Sequence, residues 1–325
     1  MNFKKTLSFL IKIGIVVFSL YFLYKELVLK NDIVNFDKSL FFKLITDNII
    51  LIVIVLFLMF LNWFLEALKW RYMISKIEKV SIYTSLKAVF AGITVSSFTP
   101  NRVGEYGGRV FYLEKADRLK GVIITFIGSM SQLLITILFG SISFIILSEL
   151  LFESKVLFSA ISKFKLLVFL LLFLLNVFIF YFFYNVHSFI SFFNLNKYIN
   201  RFKQYIQTFT IYNSSELTNI LLFSFSRYIV FSIQFLILLN VFEIDSSTFH
   251  SMLSVMLIFL FVSIIPTIVV AEIGVRGSVA IYVFSLFTIN SIGVFSSTLL
   301  LWIINLVIPS LIGIYFVFNL NFFRK

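Results

Sequence analysis

Glu105 and Arg109 stand four residues apart, and so do Glu272 and Arg276, in a chain whose other residues are mostly apolar. On a helix that spacing stacks a carboxylate and a guanidinium on one face, one turn apart, so each pair can neutralise itself. The guanidiniums have a second use, because their planar forks bind phosphate oxygens in pairs. Arg102 and Arg227 are further cations inside or beside apolar stretches. Arg102, Glu105, Arg109, Arg227, Glu272 and Arg276 therefore form a candidate set for holding an anionic headgroup. Two readings stay open: the glutamates either staple their own helices or share in the site, and Arg102 is either a ligand or an interfacial anchor.

Both pairs lie beside residues that interrupt helices. Pro100, Gly104, Gly107 and Gly108 surround the first, and Pro266, Gly274 and Gly277 the second. Proline lacks the amide a helix needs, and glycine frees the backbone for a break or a close approach. The apolar stretch 88–98 is too short to cross a hydrocarbon core of about 30 Å before Pro100 stops it. Its flanks, 69–87 and 101–120, are both basic, so both belong on the cytoplasmic side. The expectation is a re-entrant hairpin that breaks at 99–104. Downstream, 252–265 stops at Pro266, a break over 272–277 follows, and 278–287 resumes, which makes a second hairpin entering from the outside.

The surrounding elements follow from composition. Of 325 residues, 60% are hydrophobic and 13% charged, and the mean hydropathy is +1.04. Soluble domains carry roughly 25% charged residues, so this is a polytopic membrane protein. The net charge of +12 sits in short loops between apolar runs, as the positive-inside rule and anionic lipid require, and not on a nucleic-acid-binding face. With no cysteine, disulfides, thiolate metal sites and thiol nucleophiles are excluded. His187 and His250 lack metal-ligand spacing, no phosphate-binding loop occurs, and no catalytic constellation, metal site or cofactor is expected.

Six full spans are read at 7–24, 49–65, 121–148, 166–184, 217–240 and 292–318. The first is a retained span and not a cleaved signal, because it has no small-residue cleavage site. Asn62, Trp63, Glu66, Lys69 and Trp70 are placed at the cytoplasmic end of the second, with the tryptophans in an interfacial belt. Residues 196–212 alternate as an amphipathic helix on the cytoplasmic surface. Asn213-Ser214-Ser215 matches a glycosylation triplet by chance. Counting each hairpin as a unit, the order is span, span, hairpin, span, repeated once in inverted orientation, a transporter arrangement. The fold expected is all-α, about six spans plus two re-entrant hairpins, in one domain over 1–325 with halves near 1–150 and 160–325. Both termini are expected in the cytoplasm.

The stretch Thr99-Pro100-Asn101-Arg102-Val103-Gly104-Glu105, with Ile265-Pro266 and Glu272-Ile273-Gly274-Val275-Arg276-Gly277, resembles the paired motifs of the lysylphosphatidylglycerol synthase transmembrane region, a flippase-like membrane domain. The resemblance covers nearly the whole chain. It differs at Asn101, where the family usually has glycine, and in placing Glu272 before Arg276. It implies a cell-membrane protein that moves an anionic or aminoacylated phospholipid, or a lipid-linked headgroup, between leaflets. The best-known members append a soluble aminoacyl-transferase domain, which is not seen up to Lys325, so lysyl transfer is not carried over. An accessory or scaffold subunit of a glycosyl- or aminoacyl-lipid pathway is the alternative.

Overall fold

The computed structural model describes residues 38–97, 99, 102–154, 164–186, 205, 207–266 and 269–318. The expected first span at 7–24, Pro100, Asn101, His187, most of the amphipathic stretch 196–212 and the C-terminus from 319 lie outside the described residues. Among those described the chain is all-helical, with no strand. In order the helices are α1 Lys38–Asp47, α2 Ile49–Ile74, α3 Ile82–Ser97, α4 Gly104–Val110, α5 Arg118–Ser154, α6 Lys165–Tyr184, α7 Ser214–Val241, α8 Thr248–Ile264, α9 Val269–Phe284 and α10 Ser291–Phe318. Five of them, α2, α5, α6, α7 and α10, are long and apolar enough to cross a membrane.

The solvent for which these helices are built is legible from α2. Ile50, Val53, Phe57, Phe60 and Phe64 recur at steps of three and four and point outward, with Ile50 73% and Phe57 65% exposed. The opposite stripe carries Asn62, Glu66 and Lys69, all buried. A water-soluble helix would show the reverse order. Only a hydrocarbon surrounding makes an apolar exterior and a charged interior the lower-energy choice.

α2 and α7 form the centre and run antiparallel over their full length. Gln234 Nε2 donates to the Val55 carbonyl at 2.9 Å near one end, and Tyr212 Oη to the Met73 carbonyl at 2.7 Å just before α7 begins. Asn213, the first residue of the Asn213-Ser214-Ser215 triplet, is the N-cap of α7, where its side chain and that of Glu216 form a capping box.

Two short helices lie antiparallel on long ones from the other half of the chain. α3 packs on α10, where Thr94 Oγ1 donates to the Ser310 carbonyl at 2.7 Å and Gly313 leaves room for the Phe90 carbonyl. α8 packs on α5, where Ser143 Oγ donates to the Leu253 carbonyl at 2.5 Å and Gly140 leaves room for Leu260. Small residues at such crossings let helices approach closely where no hydrophobic force drives them together.

Three local expectations are corrected. The second interruption does not extend over 272–277: α8 ends at Ile264, just before Pro266, and α9 already begins at Val269, so Glu272, Gly274, Arg276 and Gly277 are helical. The i, i+4 ion pair favours helix over loop there. Gly107 and Gly108 likewise lie within α4, and no glycine among the described residues has a positive φ. Gly108 serves packing, since a Cβ there would stand 2.7 Å from the Gly92 Cα. Trp70 is not interfacial but 1% exposed, and its Nε1 donates to Thr125 Oγ1 at 3.1 Å.

Candidate functional site

Glu66 on α2 is the hub of the buried charges. It is 5% exposed, and its Oε1 accepts from Arg109 Nη1 at 2.6 Å. Its Oε2 pairs with Lys69 Nζ at 2.9 Å and with Arg227 Nη1 from α7. Helical periodicity explains the Lys69 contact alone. Glu66 and Lys69 share a face of α2, while antiparallel packing brings α7 to the same level. Arg109, on α4, divides its fork between Glu66 and Glu105.

Lys69 is fully engaged, donating also to the Gly128 carbonyl at 3.2 Å and to Ser224 Oγ at 3.3 Å. Arg227 adds Nε to Asn62 Oδ1 at 3.1 Å, and its guanidinium lies 5.3 Å from the Trp63 ring. One carboxylate thus ties α2 to α4 and α7, and through Lys69 to α5.

A second cluster joins the two interrupted regions. Both carboxylate oxygens of Glu272 accept from Arg102 Nη2, at 2.8 and 2.9 Å, and Oε1 also accepts from Arg276 Nε at 2.6 Å. Arg102 precedes α4 with φ 57, a left-handed conformation that costs a non-glycine residue roughly 1–2 kcal/mol. Thr99 Oγ1 accepts from the Gly104 amide at 2.8 Å and so starts α4 beside it. The strained backbone aims Arg102 across to α9.

Between the clusters is a cavity of about 600 Å³. Arg102, Arg227, Glu272 and Arg276 form its charged wall, and Phe231, Phe235, Ile258, Phe259 and Leu301 are among its apolar residues. Four of the six residues singled out by type and spacing therefore meet at one cavity. The other two do not line it: Arg109 is 2% exposed and held by two carboxylates, and Glu105 faces Arg109.

Together the clusters hold Lys69, Arg102, Arg109, Arg227 and Arg276 against Glu66, Glu105 and Glu272, an excess of two positive charges. Among the described residues no three His, Asp or Glu side chains gather as a metal site.

A family model described as the lysylphosphatidylglycerol synthase TM region matches residues 9–313. The chain belongs to that family. It is a membrane protein of a lipid-related family, and no curated protein and no solved structure matches it.

Family motifs and spacing did not bring out Glu66, Lys69, Asn62 or Trp63 as site residues. The available signal was a Glu and a Lys three residues apart in an apolar run, which reads equally well as the end of a span. Gln132, a polar residue within the span read at 121–148, also lines the cavity.

Proposed function

We propose that the protein is a non-enzymatic translocator of an anionic or aminoacylated phospholipid, or of a lipid-linked headgroup. It works by exposing a cationic cavity alternately to the two sides of a cell membrane. The observation that carries this reading is the cavity between the two interrupted regions, with three arginines and one glutamate on its charged wall. Its volume falls in the range of roughly 300–1,000 Å³ usual for ligand sites. An uncompensated positive excess inside a membrane is expensive unless an anion joins it, and a lipid phosphate would be that anion.

The proposed architecture is six spans and two re-entrant hairpins, α3–α4 and α8–α9, in an inverted repeat with both termini cytoplasmic. It is supported by the packing of α3 on α10 and of α8 on α5, each relieved by a glycine of the long helix. These contacts exchange if the halves are swapped, as an inverted repeat requires.

Reconstitution into liposomes with headgroup-labelled lipids tests the function. Wild type should accelerate leaflet exchange of an anionic lipid, and Arg227→Ala and Arg276→Ala should abolish it. Equal exchange by all three would refute the site. No exchange of any anionic lipid would favour the scaffold role. Because the chain has no cysteine, Tyr83→Cys and Ile289→Cys, both at exposed positions, test topology. The first should react only from the cytoplasm and the second only from outside.

A further inference from the structure

Several polar groups of the cavity are not used by the charge clusters. Trp63 Nε1, Trp302 Nε1, Tyr228 Oη and Asn305 Oδ1 are buried without a hydrogen-bond partner, and all four residues line this one cavity. Buried polar atoms almost always have partners, so four orphans on one cavity are a demand for something that belongs there.

The chemistry of the demand is specific. The indole groups only donate, the Asn305 oxygen only accepts, and the Tyr228 hydroxyl does either. Asn305 Nδ2 already donates to the Leu301 carbonyl at 3.2 Å, which fixes the orphan atom as the oxygen. A phosphate, which offers acceptors, would leave Asn305 unpaired. An ammonium, which offers donors, would leave the indoles unpaired and meet Arg102, Arg227 and Arg276 with only Glu272 to offset them. One hydroxyl donates once and accepts twice, so a group with two or more hydroxyls supplies both kinds of partner to all four.

The helix that carries two of these groups is itself irregular. Asn305 sits in a π-helical turn, Ile303–Val307, directly after Trp302 in α10. Such turns occur mostly as single insertions in α-helices, frequently at functional sites. The cavity of about 600 Å³ has room for a phosphate on its arginines together with a polyol or one sugar ring against the aromatic residues.

We propose that Trp63, Tyr228, Trp302 and Asn305 form a hydroxyl-binding subsite, and that the preferred ligand is a phosphate-linked polyol or sugar headgroup, not an aminoacylated one. This rests on the translocator reading above and narrows its substrate class.

The chain has three tryptophans, two of which line the cavity, so its own fluorescence reports binding. Full-length protein in detergent would be titrated with short-chain phosphatidylglycerol and phosphatidylmethanol, which carry the same single charge but differ in hydroxyls. Phosphatidylcholine sets the baseline. Phosphatidylglycerol should bind about tenfold more tightly than phosphatidylmethanol, the effect of one or two added hydrogen bonds. Asn305→Leu and Trp302→Phe should each shrink that ratio, whereas Arg276→Ala should weaken both lipids in parallel.

Equal binding of the two lipids by wild type, both above baseline, would overturn the hydroxyl subsite and leave the anion site standing. Binding of neither above phosphatidylcholine would remove the translocator reading and the subsite with it. Tighter binding of lysylated phosphatidylglycerol than of the unmodified lipid would overturn the preference argued from charge. A short-chain glucosyl phosphate lipid separates the two sources. Its binding more tightly than phosphatidylglycerol assigns the subsite to a sugar, and the reverse order assigns it to a polyol.

Discussion

Replacing Glu66 by Gln keeps the shape of the side chain and removes the one charge shared by Arg109, Lys69 and Arg227. In the cluster formed with Glu105 the positive excess rises from one to two. Two unit charges about 4 Å apart interact by about 4 kcal/mol at an effective dielectric constant near 20. Breaking a buried pair by removing one partner typically costs 3–5 kcal/mol, because the remaining charge stays buried. Glu66→Gln should therefore destabilise the protein by about 3–5 kcal/mol.

Glu105→Gln should cost roughly 1 kcal/mol or less, since that carboxylate is partly exposed and Arg109 keeps Glu66. The comparison is made by chaotrope unfolding in detergent, followed by helical circular dichroism. The double variant Glu66→Gln/Arg227→Gln removes one charge of each sign and should recover part of the loss, giving a coupling of about 1–3 kcal/mol. Equal destabilisation by Glu66→Gln and Glu105→Gln, or strict additivity in the double variant, would refute Glu66 as the hub.

Other substitutions separate packing from charge. Gly108→Ala should cost about 1–3 kcal/mol, because its Cβ would meet the backbone of Ala91 and Gly92. Gly107→Ala, with nothing within 4 Å, should be neutral or slightly stabilising in the same unfolding assay. Arg102→Gly and Arg102→Ala both lose the contact to Glu272, but the glycine variant should be more stable by about 1 kcal/mol, because position 102 has φ 57. Equal midpoints for those two would show that the backbone there is unstrained. In the liposome assay, Arg276→Ala should abolish exchange while Lys165→Ala, at an exposed ion pair with Glu149, should leave it unchanged.

The long spans were legible because hydropathy over about 20 residues is a local property. α6 and α7 begin and end within a few residues of their expected bounds. Breaks were less so. Pro266 follows the end of α8 as a helix-breaking residue should, yet Gly274 and Gly277 stay helical, where the Glu272–Arg276 ion pair offsets the modest helix penalty of glycine. Glu66 and Lys69 show the main ambiguity. A charged pair in the last turns of an apolar run has one sequence signature, whether it snorkels to the interface or turns into the bundle.

Composition and hydropathy alone determined that this is a helical membrane protein, and residue type and spacing singled out Arg102, Glu105, Arg109, Arg227, Glu272 and Arg276 as one candidate set. Only the tertiary structure decided how the charges are distributed. It gave Arg109 to Glu66 and Glu105, linked Arg102 to a glutamate 170 residues away, and put Trp63, Tyr228, Trp302 and Asn305 around one cavity. Hydropathy and i, i+4 spacing depend on near neighbours in the chain. Which distant helix face meets a given side chain depends on the crossing of α2 with α7 and on the glycines that let α3 and α8 dock, and those contacts exist only in the folded bundle.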